Sequence, residues 1–82
     1  MSDAREVFRE LIERDRALVE KIYGKGLRVP RQMSSLSREM AESYDVLFDA
    51  GLYEQAETVR KLSSFWIRRY ERATRRKENI NP

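Results

Sequence analysis

At 82 residues the chain is long enough for one domain with a small core, and its 17 basic against 14 acidic residues leave a net charge of +3. It contains no cysteine and no histidine, which excludes disulfides, thiol chemistry, Cys-based metal sites and the commonest general base. No run approaches the roughly 18 apolar residues of a membrane-spanning helix. The charged start Met1-Ser2-Asp3-Ala4-Arg5-Glu6 has no apolar run behind it, unlike a signal peptide, so a cytoplasmic protein is expected.

Ser2 or Asp3 can cap a first helix running to about Tyr23, with Glu6 in its first turn where negative charge is favoured. Val7, Phe8, Leu11, Ile12, Leu18, Val19, Ile22 and Tyr23 recur at helical spacing and form a broad apolar stripe. Asp15 falls at the centre of that stripe. Either this carboxylate pairs with an Arg, a Tyr hydroxyl or a Ser from another helix, or the stripe is less buried than it looks.

Gly24-Lys25-Gly26-Leu27-Arg28-Val29-Pro30-Arg31 breaks the helix. Gly24 suits the position just past a helix end, and Pro30 makes Val29 extended. The segment lacks the spacing of a phosphate-binding loop and any preceding strand. Lys21, Lys25, Arg28 and Arg31 make it a secondary basic patch.

Ser34 or Ser35 can cap a second helix, spanning about 34–50, whose apolar face is Leu36, Met40, Tyr44, Leu47 and Phe48. Ser37, Ala41 and Ser43 are small residues on or beside that face, where a neighbouring helix could approach closely. Gly51 stops the helix at a tight turn.

The third helix, about 52–77, carries two opposed faces. Leu52, Val59, Leu62, Trp66, Ile67, Tyr70 and Ala73 form a core stripe. Lys61, Arg68, Arg69, Arg72, Arg75 and Arg76 lie on the other side, with Phe65 among them. This basic run extends beyond the single turn over which the helix dipole favours cations. It is therefore the candidate surface for nucleic acid or an acidic partner. Residues 79–82, Asn-Ile-Asn-Pro, are expected to fray.

With no strand pattern, the expected fold is all-α: one domain over residues 1–78 built as a three-helix bundle. A third helix of about 26 residues spans roughly 39 Å. A second helix of about 16 residues would leave its basic end overhanging.

Gly51-Leu52-Tyr53-Glu54-Gln55-Ala56 resembles the turn of a tetratricopeptide repeat, in which a Gly, an aromatic and an Ala recur at this spacing. The resemblance covers less than half of one repeat. Ser43 and Tyr44 stand where the repeat has a Leu-Gly pair, its closing Pro is absent, and no second copy follows. The resemblance implies a helical hairpin and nothing about ligands. A helix-turn-helix reading of the same turn fails, because Glu54 and Glu57 would stand at the end of the recognition helix that meets phosphates.

Nothing here has the spacing of a catalytic constellation. Glu39, Glu42 and Asp45 are spaced as a solvated helix face, so neither a metal nor a cofactor is expected. Arg outnumbers Lys 13 to 4 and only four residues are Asn or Gln, a thermophile-like composition. Charge is also divided along the chain: residues 34–57 hold one base against six acids, and residues 58–82 hold eight bases against two acids. Such asymmetry fits two different partners, or a head-to-tail homodimer. The expectation is a non-enzymatic accessory or adaptor subunit of a nucleic-acid-processing machine, in replication, repair or transcription. It would dock on a larger protein partner. Two alternatives stand beside it: a stand-alone, sequence-independent DNA- or RNA-binding protein, and an interaction protein such as an inhibitor, antitoxin or viral adaptor.

Overall fold

Asp3 starts the first helix. Its backbone is extended, and its carboxylate accepts a hydrogen bond from the Arg5 N–H at 3.1 Å, satisfying one of the donors a helix start leaves open. The computed structural model describes residues 3–79, with side chains through residue 75. Helix α1 covers Ala4–Val19 and continues as one π-helical turn, Glu20–Gly24; α2 covers Pro30–Asp49 and α3 covers Tyr53–Asn79. Among the described residues there is no strand, and the protein is all-α. Ser2, the alternative cap, and residues 80–82 of the tail lie outside the described residues.

Helix α3 includes Asn79, expected in the tail, and two further boundaries differ from the sequence expectation. The second helix begins at Pro30, not at Ser34 or Ser35. Proline suits the first helical position, because its missing N–H has no intrahelical partner there and its ring presets φ. The two serines lie inside a helix of 20 residues rather than the expected 16 or so. At the end of α1, Gly24 is not the left-handed residue. The chain widens into the π turn first, with the Lys25 N–H donating to the Glu20 carbonyl at 3.1 Å and the Leu27 N–H to that of Lys21 at 2.9 Å. The positive φ then falls on Gly26, at 68°.

The second turn follows the sequence closely. Gly51 has φ 79°, its N–H donates to the Phe48 carbonyl at 3.0 Å, and the Leu52 N–H donates to that of Leu47 at 2.9 Å. This paired arrangement closes the carbonyls at the end of α2 and sends α3 back along it.

The α2–α3 hairpin is the most extensive contact in the molecule, and α1 lies mainly against α2. Leu11 and Leu18 of α1, Met33, Leu36, Met40 and Leu47 of α2, and Ala56, Val59 and Trp66 of α3 form the buried core. Phe8, Leu62 and Tyr70 pack half-buried against it. Where α2 and α3 approach, each serine of a pair donates to the other's backbone: Ser37 Oγ to the Ser63 carbonyl and Ser63 Oγ to the Ser37 carbonyl, both at 2.8 Å. Small side chains here permit the approach, since interaxial distance follows side-chain size. Of the small residues expected at that seam, Ser37 is buried, Ser43 is half-buried and Ala41 is exposed.

Three residues assigned to apolar faces stand in solvent instead. Ile67 is turned about 100° from Trp66 around α3, beyond the reach of either neighbour. Phe48 sits at the hairpin tip, only partly covered by Tyr44 and Tyr53, and Tyr23 is carried outward in the π turn.

Candidate functional site

Asp15, the polar residue in the apolar stripe of α1, meets Trp66. The indole Nε1–H donates to its Oδ1 at 2.8 Å, while the Trp66 side chain is wholly buried. A buried indole N–H needs an acceptor, and Asp15 supplies it from 51 positions away in sequence. The pairing is with an indole, a partner type the sequence reading did not name. With the bidentate Arg14–Glu39 pair, at 2.6 and 2.8 Å, and the Lys21–Gln32 bond, at 3.0 Å, it ties α1 to the hairpin. The Arg14 guanidinium holds the Glu39 carboxyl below its ordinary range, chiefly by this hydrogen bonding. These groups are occupied with one another and form the frame of any site.

The basic residues of α3 separate into kinds. Lys61, Arg68, Arg72 and Arg75 are exposed and, among the described residues, no carboxylate pairs with them. Arg68 donates from Nε to the Ser64 carbonyl at 3.3 Å, which lays its stem along the helix. Arg69 departs from expectation: it is half-buried, with its guanidinium 5.0 Å above the centre of the Tyr23 ring. Its wheel position is only about 60° from Trp66, on the flank facing α1 rather than on the outer face. There it holds the π turn by a cation–π contact. The side chain of Arg76 lies outside the described residues. Phe65 is 37% exposed and stands edge-on to Trp66 at 4.9 Å, so it is partly core and partly surface.

The secondary patch divides. Lys21, bonded to Gln32, and Arg31 face the groove between α1 and α2, together with Arg14. Lys25 is exposed in the loop. Arg28 turns the other way and joins α3. With Arg69 and Arg72 it lines a cleft of about 350 Å³, together with Ile22, Leu27, Val29, Pro30, Met33 and Ala73. Sequence reasoning missed this cleft because its two walls are about 40 positions apart. The only local signal was the apolar Leu27 and Val29 interleaved with Arg28 in a loop.

The opposite end of the hairpin is acidic and aromatic. Tyr44 stacks on Phe48 at 5.9 Å, and Phe48 meets Tyr53 edge-on at 4.9 Å across the Gly51 turn. From Glu39 to Val59 there is no Lys or Arg and there are six acids. The Tyr44–Phe48 spacing of four is a signal the sequence carried, although it was read as core.

Among the described residues no three metal-ligating side chains gather, and no helix is long and apolar enough to cross a membrane. Compared with family models, with curated proteins and with solved structures, the chain matches none.

Proposed function

We propose that the chain is a non-enzymatic accessory subunit that brings a polyanion, DNA or RNA, to a larger protein assembly in the cytoplasm. The observation that carries this reading is the convergence of Arg28 with Arg69 and Arg72 at one end of the molecule. The exposed residues Arg68 and Arg75 extend that basic surface along α3. At 27 residues α3 is longer than the 20-residue α2 beside it. That difference in length supports the reading that the basic end of α3 extends past the bundle toward a ligand. The acidic, aromatic hairpin tip at the other end is the surface for the protein partner. Arginine contacts to phosphate position a protein without reading bases. No Asn or Gln stands beside the exposed arginines of α3 through Arg75 to supply base contacts. Binding is accordingly independent of base sequence.

The test is a titration of labelled duplex DNA, single-stranded DNA and RNA at two or more salt concentrations. If Arg28, Arg68, Arg72 and Arg75 each neutralise a duplex phosphate, log affinity falls against log salt with a slope of about −3 to −4. Arg72→Glu with Arg75→Glu should flatten that slope by about 2 and weaken binding. Absence of binding to all three nucleic acids at low salt refutes the reading.

A further inference from the structure

The two ends of this molecule are complementary to each other. Four of its exposed large hydrophobics lie at the ends: Phe48 and Tyr53 at the hairpin tip, Tyr23 and Leu27 beside the basic cleft. The tip is prepared for contact. Phe48 is 47% and Tyr53 61% exposed, yet both rings are held by neighbours, Tyr44 behind Phe48 and Phe48 against Tyr53. Rigid exposed aromatics bind with little loss of side-chain freedom. Asp45, Asp49 and Glu54, their neighbours in sequence, are exposed. Arg60, the first base after the turn, is paired with Glu57. The cleft offers the converse: an apolar lining of Ile22, Val29 and Met33 with the exposed Leu27 at its edge, together with Arg28, Arg69 and Arg72. Its volume of about 350 Å³ is large enough for an aromatic side chain.

Tip and cleft stand at opposite ends of α2, in a molecule 48 Å long and only 24 by 20 Å across. One molecule cannot bring its own tip to its own cleft, because a helix of 20 residues, about 30 Å, separates them. The geometry points to a second copy of this chain as the occupant of the cleft. The Phe48–Tyr53 tip of one protomer enters it, and Asp49 and Glu54 face Arg28 and Arg72 of the next. With the tip and the cleft of each molecule engaged by different copies, this contact is heterologous, head to tail, and propagates as a ring or an open filament. It shares Arg28 and Arg72 with the proposed polyanion surface, so the two contacts compete for the cleft, and it is measured on protein alone, without nucleic acid.

The decisive experiment is analytical ultracentrifugation of wild type and two variants over a wide concentration range. A tip variant, Phe48→Ser with Glu54→Gln, and a cleft variant, Leu27→Ser with Arg28→Gln, change only exposed residues. Circular dichroism verifies that both remain helical. Wild type should associate beyond the dimer at low salt. Association should weaken at least about tenfold near 1 M salt, where the screening length falls to about 3 Å. Each variant alone should self-associate at least about tenfold more weakly, since it lacks one of the two surfaces. Mixed together, they should form a 1:1 dimer that grows no further, because one variant keeps the cleft and the other keeps the tip. Wild type that remains monomeric at every concentration overturns the proposal. So does a symmetric dimer that both variants retain, or a mixture no larger than its components.

Discussion

Replacing Asp15 with leucine tests how the core is organised. In an apolar stripe, leucine would cost little if the partner of Asp15 could turn to water. Its partner is the Trp66 N–H, and that side chain is wholly buried. Asp15→Leu therefore strands a donor, at a cost of about 1–3 kcal/mol. A domain of 82 residues has roughly 4–12 kcal/mol of stability in total. A loss near 2 kcal/mol is a large share of that and should lower Tm by about 8–16 °C. Asp15→Asn keeps an oxygen acceptor but replaces a charge-assisted bond with a neutral one, so about half as much is lost. The background Trp66→Phe removes the donor itself. In that background Asp15→Leu should cost nearly nothing, which makes the coupling energy about 1–3 kcal/mol. Urea unfolding followed by circular dichroism gives all four values without relying on tryptophan fluorescence. A coupling below about 0.5 kcal/mol, or an Asp15→Leu protein as stable as wild type, would show that the bond does not organise the core.

Glu39 has its carboxyl pKa lowered by the Arg14 hydrogen bond, so its contribution is complete above the ordinary glutamate range and disappears as pH falls through the lowered value. The pair is nearly half exposed, so Glu39→Gln should cost only about 0.5–1 kcal/mol at pH 7. Thermal melts of the two proteins should converge in acid, and a difference that persists at pH 2 would contradict the linkage. Ser37→Val overfills the α2–α3 seam and removes the bond from the Ser37 hydroxyl to the Ser63 carbonyl, for an expected loss of about 1–3 kcal/mol by urea denaturation; unchanged stability would mean the seam can widen freely. Phe65→Ala gives up one edge-to-face contact with Trp66, about 0.5–1.5 kcal/mol, and should weaken polyanion binding more than it lowers stability. The opposite order, in paired titration and melting experiments, would assign Phe65 to the core alone.

Local chemistry along the sequence settled the elements themselves. Spacings of three and four place Leu11, Leu18, Met40, Leu47, Val59 and Trp66 on inward faces, and all six are buried. Gly51 is an adequate stop signal because a left-handed residue is what the turn after α2 requires. Pro30 was equally legible as a helix start, but the serines after it were the more familiar caps. Tertiary structure alone decided the rest, since each remaining feature joins distant positions. Asp15 found Trp66, Ser37 found Ser63, and Arg28 joined Arg72, none of them within the reach of one helix turn. Arg69 shows the reason most directly. On a helical wheel it is one arginine among several, and only the packing of the π turn against α3 brings Tyr23 beneath it. Periodicity specifies which way a side chain leaves its own helix. What it meets depends on how the helices are placed against one another, and a lone helix has no term for that.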